Sequence, residues 1–588
     1  MTVLADVETH IRTALAKLQQ DGRLPADLAI GSVEVEPTKD SKHGDLATNA
    51  AMILAKPARM KPFDIADALV SELSVVPGFV RVEVAGPGFV NMKLEPARWQ
   101  AVVGEVLAAG PDYGAADIGR GEPLLIEYVS VNPTGPMHVG HGRGAAFGDS
   151  LANLLAFAGY KVSREYYVND AGGQVDTLAR SAFLRYREAL GETIGEIPAG
   201  LYPGDYLKPV GEEIARQHGR SLLAKANDES AWLPIVRAIA IDAMLAMIKD
   251  DLAALDVRHD VFFSERSLTA DGRDEIAETI AQLRDQGLVF EGRLEKPKGH
   301  DADEWEDREQ VLFRSTDFGD DVDRALMKSD GTYTYFAGDM AYHRNKLKRG
   351  FTHLVNVFGA DHTGYLKRMF AAVKALSGGK ADFDIKVTQL VRLLRDGDQV
   401  RMSKRSGAFV TLGEVVEEVG RDPIRFMMLY RKNDATLDFD MAKVVEKSKE
   451  NPVFYVQYAH ARAYSIYRNA ADAFPGIAPG DPAIKAADTS LLDDEGELDL
   501  LRRLALFPRL IEGACRAHEP HRIAFYLSDL ASAFHAQWAR GNDSPHLRFI
   551  QSGDRSLTMA RLALVGACSQ VIATGLGILG VQAPTEMR

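Results

Sequence analysis

Cysteine is scarce: the 588 residues include two, Cys515 and Cys568, far apart in sequence. That leaves room for one disulfide and excludes a disulfide framework, and no Cys/His run has the spacing of zinc ligands. No zinc is expected, and a reducing cytoplasm suits the chain. Excess positive charge is also lacking, since 69 basic against 83 acidic residues leave a net charge of −14. Coating nucleic acid indiscriminately needs a broad positive surface. That function is excluded, although a shaped nucleic-acid partner met by local basic patches is not. Residues 1–6 show no basic region leading into an apolar stretch, so no signal peptide is expected. Repeats and low-complexity runs are absent. One segment, 562–581, runs without charge over bilayer length. Ser569, Gln570 and Thr574 sit within it, and Gly566, Gly575, Gly577 and Gly580 dilute it. It reads as a buried helix followed by a loop, and no membrane partner is expected.

The hydrophobic and charged fractions, 46% and 26%, are ordinary for a globular protein. The length is too great for one core. Residues 1–115 read as an α+β N-terminal domain, with helical spacing of Val3, Val7, Ile11 and Leu15, a helical run over 46–56, and a hairpin around Gly86-Pro87-Gly88. Residues 116–415 alternate strands and helices, as a Rossmann-like parallel-sheet domain does. Strands are expected at 124–129, 161–168, 324–336, 353–358 and 386–394. Charged amphipathic helices over about 190–308 read as an insertion between the halves of that sheet. Residues 416–450 are a connecting stem, and 451–588 an all-α bundle, with the charged stretch 491–503 separating its parts. The fold class is multidomain α/β.

The chemistry concentrates at three loops. In 126–141 (I-E-Y-V-S-V-N-P-T-G-P-M-H-V-G-H) a strand enters a Pro/Gly loop that delivers His138 and His141 to a helix start. A helix N-terminus offers free amides and a positive dipole, which suits phosphate. Gly140, Gly142 and Gly144 permit close approach, and imidazoles can donate to a phosphorus transition state. Residues 401–407 (R-M-S-K-R-S-G) form a basic loop able to fold over a triphosphate, with Arg401, Met402, Ser403 and Lys404 as its contacts. Residues 358–362 (F-G-A-D-H) end an apolar strand, where open α/β sheets bind ligands. There Gly359 admits an adenosine, Asp361 reaches ribose hydroxyls, and His362 lies beside them. A rival reading takes Gly140-x-Gly142-x-x-Ala145, with Glu165 as the acidic partner, for a nicotinamide dinucleotide fingerprint. It is disfavoured because a Pro-containing loop separates the glycines from the strand.

The H-V-G-H and R-M-S-K-R segments resemble the two signatures of class I aminoacyl-tRNA synthetases, H-I-G-H and K-M-S-K-S. The likeness narrows to the arginyl-tRNA synthetase family through 126–141, 166–173 (Y-Y-V-N-D-A-G-G), 359–365 (G-A-D-H-T-G-Y), 451–462 (N-P-V-F-Y-V-Q-Y-A-H-A-R) and the region 42–49. It spans essentially the whole chain, with the motifs in the same order. Val139 replaces isoleucine, Arg401 replaces the first lysine, and Arg405 stands where the signature has its last serine. Lys404 is retained.

The resemblance implies ATP-dependent attachment of L-arginine to tRNA(Arg) through an arginyl-adenylate, with magnesium accompanying ATP. His138 and His141 would serve the phosphates and transition state, and Lys404 with Arg401 the pyrophosphate. Glu127, Asn132, Tyr335 and Asp339 become the arginine-binding candidates. A guanidinium is a planar fork of donors, best met by carboxylates. Which carboxylate meets it is not readable from the residues; Asp339 is assigned to the guanidinium, and Glu127 and Asn132 to the α-ammonium end. Tyr455, Gln457, Tyr458 and Arg462 are tRNA-contact candidates in the helical region, and residues 1–115 are expected to touch the outer corner of the tRNA. The family is typically monomeric, so a monomer is expected. A catalytically silent tRNA-binding relative is the alternative from another class, disfavoured by the retention of His138, His141 and Lys404.

Overall fold

A computed structural model describes residues 2–31, 33–38, 40–294, 309–400 and 410–587. Its centre is a five-stranded parallel sheet built from β1 (Pro123–Glu127), β2 (Lys161–Val168), β3 (Val261–Ser264), β4 (His353–Gly359) and β5 (Asp382–Thr388). The strands lie in the order β3-β2-β1-β4-β5. Side chains alternate across a strand, and both faces of this sheet are covered. Leu124 and Ile126 enter the large core shared with the Val139–Phe157 helix, while Leu125 meets Leu354 and Val373 on the opposite face. The strand order reverses between β1 and β4. The crevice beyond their carboxyl ends is where such sheets bind ligands.

A buried polar row decides which helix covers that crevice. Glu127, Glu165 and Asn356 stand in register on β1, β2 and β4, and buried polar groups need partners. The Tyr335–Lys348 helix supplies them. Lys346 Nζ lies 2.6 Å from Glu127 and 3.2 Å from Asn356, His343 Nε2 lies 3.1 Å from the Asn356 amide, and Tyr342 donates to Glu165 at 2.7 Å. Arg349 adds two bonds to Glu165, at 2.6 and 2.9 Å.

Several sequence expectations are corrected. The stretch 324–336 is a two-residue strand, Arg324–Ala325, and then the start of a helix that Thr334 caps by accepting from Ala337. The 386–394 segment is divided between sheets: β5 ends at Thr388, and Val391–Arg395 pairs parallel with Leu437–Asp440. The 190–308 region is not one uninterrupted helical insertion, because Val261–Ser264 within it is the edge strand of the main sheet. The run 46–56 divides into the Leu46–Thr48 strand and the Ala50–Ala58 helix. The charged 491–503 stretch mostly winds into the Glu495–Ala517 helix, whose capping box is made by Asp494 and Glu497.

The N-terminal region forms a four-stranded antiparallel sheet with helices Val3–Gln20, Ala50–Ala58 and Pro62–Leu73. The C-terminal region packs helices Pro452–Ala473, Glu495–Ala517, His521–Asp543 and Arg555–Ile578. The uncharged 562–581 segment falls mostly in the last of these, with Leu562, Val565, Val571 and Leu576 in the common core. Among the described residues two helices, Glu229–Ala254 and Arg555–Ile578, are long and apolar enough to cross a membrane. Both cysteines are free and buried.

Candidate active site

The chain leaves β1 through a strained turn. Val129 and Ser130 take φ of 71° and 42°, a region costly for a β-branched residue, at about 1–3 kcal/mol. Neighbours hold them there. The Ser130 amide donates to Tyr128 O at 3.1 Å, while its hydroxyl accepts from Tyr167 N at 3.0 Å and donates to Glu127 Oε1 at 3.2 Å. Beyond the kink, Tyr166 donates to Val131 O at 2.8 Å, and the Asn132 amide donates to Gln174 at 3.0 Å.

His138 is the N-cap of the Val139–Phe157 helix, and His141 sits at its third position. The His138 amide donates to His141 Nδ1 at 3.3 Å. A neutral ring that accepts at Nδ1 carries its proton on Nε2 and so presents a donor. The two rings stack, with centroids 3.6 Å apart. A Cβ on Gly140 would lie 3.0 Å from the His138 ring, and one on Gly142 only 2.8 Å from Leu412. Both signature glycines therefore serve close packing.

Arg401, Met402, Ser403 and Lys404 lie outside the described residues. Shortly after them in sequence, Thr411 pairs with His138 and Leu412 N donates to Met137 O at 2.8 Å. The residues following the basic loop thus run along the first histidine. Gly359, the last residue of β4, takes the close approach of Asp361 Oδ1, which lies 2.5 Å from where its Cβ would stand. Asp361 and His362 are exposed, with His362 Nε2 3.6 Å from the Asp361 carboxylate. Gly359 ends the strand beside β1, and Asp361 and His362 lie in the turn Ala360–Tyr365 that follows it.

Glu127, Asp339 and Glu265 form an acidic cluster in which each feels the charge of a neighbour. Tyr335 and Asp339 are one turn apart on the same helix face, and Tyr335 is exposed. Burial pushes the Asp339 carboxyl up to about 7 despite a hydrogen bond from the Tyr365 hydroxyl. Glu265, directly after β3, is also pushed up to about 7, first by burial and then by the charges of Asp339 and Asp170. Oriented to satisfy its surroundings, the Asn169 amide donates to Glu265 Oε2 at 2.7 Å. Glu127 is largely buried and holds Lys346, so Oε1 is its oxygen on the loop side.

Sequence reasoning missed Glu265, Tyr365 and Asn169. The signal for Glu265 was a four-residue apolar strand, V-F-F-S, ending in an acid, inside a region read as helical. Glu165, which the dinucleotide reading needs at a ribose, is fully buried on Tyr342 and Arg349.

In the C-terminal bundle, Tyr455, Tyr458 and Arg462 gather around His535. Burial pushes His535 down to about 4, and its Nδ1 faces Arg462 at 2.6 Å. The Arg462 guanidinium lies over the rings of Tyr458 and Trp538, at 4.5 and 4.0 Å. Trp538 is a partly exposed member of this group that the sequence reading did not name. Gln457 is turned elsewhere: its amide donates to Asp422 and to Gln582 O, both at 2.9 Å.

A parallel sheet of this order, a histidine pair capping the helix after β1, and a downstream segment returning to that pair define a class I aminoacyl-tRNA synthetase catalytic domain. Comparison with known proteins agrees. Residues 103–448 match the model of the class I (R) tRNA synthetase catalytic domain, residues 5–94 that of the arginyl-tRNA synthetase N-terminal domain, and residues 456–587 that of the DALR anticodon-binding domain. The arginine–tRNA ligase of Xanthobacter autotrophicus is 60% identical over 588 residues, covering 100% of both chains. That of a Methylobacterium species is 61% identical over 591 residues, again covering 100% of both. The Thermus thermophilus arginyl-tRNA synthetase structure shares the fold, with TM-score 0.75, 24% identity, and 99% of this chain and 100% of that chain covered. The chain belongs to the arginyl-tRNA synthetase family.

Proposed function

We propose that the protein attaches L-arginine to tRNA(Arg) in two steps. The carboxylate of arginine attacks the α-phosphorus of ATP, which enters with its magnesium as the substrate, and pyrophosphate leaves. The terminal ribose hydroxyl of tRNA then attacks the arginyl-adenylate, and AMP leaves. Neither step needs a protein nucleophile. The chain contributes positioning and charge stabilisation. His141 Nε2–H and the free amides of the Val139–Phe157 helix face the phosphates, Lys404 and Arg401 take pyrophosphate, and Gly359, Asp361 and His362 receive the nucleoside. Glu127 Oε1 and Asn132 receive the α-ammonium.

The observation that carries arginine is the acidic cluster, where two neighbouring carboxyls are pushed up to about 7 by burial. Desolvated carboxylates gain most from a cation, and a planar fork can bond both. A pocket built to satisfy such a fork rejects analogues lacking it by about 10⁴-fold. Arginine-dependent ATP–pyrophosphate exchange, measured with and without tRNA, tests the reading. Exchange with arginine and none with lysine is expected; tRNA binding without exchange would leave the silent relative. The Tyr458–Arg462–Trp538 group is proposed to stack on anticodon bases. A cytoplasmic monomer is proposed as well, in keeping with two free thiols; light scattering at 64.3 kDa tests the monomer.

A further inference from the structure

Three contacts from the helical region between β2 and β3 converge on the loop that delivers His138. The Tyr206 hydroxyl donates to Thr134 O at 2.8 Å, and a Cβ on Gly135 would lie 3.0 Å from the Tyr206 ring. Gln174 meets Asn132. Asp251, near the end of the Glu229–Ala254 helix, accepts from Met137 N at 2.8 Å through Oδ2. Its other oxygen, Oδ1, would lie 3.2 Å from a Cβ on Gly413, in the helix that follows the basic segment. One carboxylate thus touches the residue before His138 and the element after the second signature.

We propose that Asp251 is a positioning residue for adenylate formation, setting the first histidine loop against the Leu412–Val419 helix. This rests on the synthetase reading above. Asp251 acts through Met137 and Gly413 and is assigned no contact with substrate. Its effect therefore falls on the nucleotide side, whereas arginine is held by Asp339 and Glu265 on other elements.

The test is ATP–pyrophosphate exchange with tRNA present, giving kcat and KM for ATP and for arginine, on the full-length chain. A misplacement of about 1 Å at reacting groups costs up to about 10²-fold. Asp251→Ala is expected to lower kcat/KM for ATP by about 10–100-fold, with the arginine KM changed less than about threefold. Asp251→Asn keeps an oxygen that accepts from Met137 and should recover most of the loss. Gly413→Ala should act in the same direction more weakly, because its Cβ crowds Asp251, and should add little in combination with Asp251→Ala. Inactive wild type would remove the synthetase reading itself. Active wild type with Asp251→Ala inside twofold for ATP would overturn the proposal, as would equal losses for ATP and arginine. If Asp251→Ala does not fold, Gly413→Ala and Asp251→Asn decide: a wild-type ATP KM and kcat for Gly413→Ala would overturn it.

Discussion

In the proposed mechanism His141 and the pair Asp339/Glu265 divide the first reaction between them. Removing one donor to a transition-state charge costs about 10²–10³ in rate, so His141→Ala is expected to cut exchange by that factor with tRNA present; near-wild-type exchange would end the assignment. The acidic pair makes a pH prediction. Both carboxyls sit at about 7, raised from ordinary values of 3.8 and 4.5. A guanidinium is met by the ionised forms, so the arginine KM should rise as pH falls from 8 to 6, by up to about tenfold per unit per proton displaced. The linkage sign follows: the folded protein binds more protons than the unfolded chain between about pH 4 and 7, so the pair's contribution to stability falls as pH rises through that window, and arginine restores it. Glu265→Gln should flatten the KM profile; an unchanged profile would remove Glu265 from the pocket. Asp339 could be named from the sequence because it ends a segment resembling the family, Tyr333–Asp339 (Y-T-Y-F-A-G-D). Glu265 was not, because its role depends on the β2–β3 pairing, which brings together residues about a hundred positions apart.

At the scale of elements, the proposed mechanism needs the helix after β1 at a fixed height on the sheet, so that His138 and Glu127 serve one reaction. Gly148 sets that height. Its missing Cβ would stand 2.3 Å from the Tyr128 ring, and Tyr128 is fully buried. Glycine to alanine in an open helix gains about 1 kcal/mol, but overpacking a core costs about 1–3 kcal/mol. Gly148→Ala should therefore lower the denaturant midpoint and also impair exchange, because the helix lifts with both histidines. A stabilised, fully active variant would show that the helix does not need this contact. The strands β1 and β4 were legible as apolar runs, and β2 as the strand that closes a βαβ unit. The start of the Tyr335–Lys348 helix was not, since β-favouring Thr332, Tyr333 and Thr334 lead into it. Tertiary pairing of Lys346, His343 and Tyr342 with the buried polar row supplies what local propensity does not.

At the scale of the whole molecule, the sequence reading closed the first domain at residue 115, and the packing argues for a boundary near 94. The Pro96–Ala109 helix buries Trp99, Val102, Val103 and Val106. Gln100 donates to Ser490 O and Leu492 O at 3.2 and 3.0 Å, Tyr113 donates to Leu504 O at 3.1 Å, and Gly114 lies against Phe507. These residues are built into the C-terminal helices. Nothing in their local pattern distinguishes a helix closing one core from a helix opening the next. The contacts from earlier residues are fewer and polar: Glu8 pairs with Arg509 at 3.2 Å, and buried Asp45 pairs with Arg502 at 3.1 Å and accepts from Trp99 Nε1 at 3.4 Å. Four apolar side chains at about 1.5–3 kcal/mol each make the helix worth about 6–12 kcal/mol, comparable with a whole domain's stability of about 5–15 kcal/mol. Deleting residues 1–94 should therefore leave a soluble chain with cooperative unfolding and ATP binding. Deleting 1–115 should expose the helical core and aggregate. The shorter deletion should also weaken tRNA binding at fixed salt by about tenfold, because a polar surface contact to the nucleic acid is lost. Equal solubility of the two deletions would return the boundary to 115, and unchanged tRNA affinity after loss of 1–94 would remove the N-terminal domain from tRNA recognition.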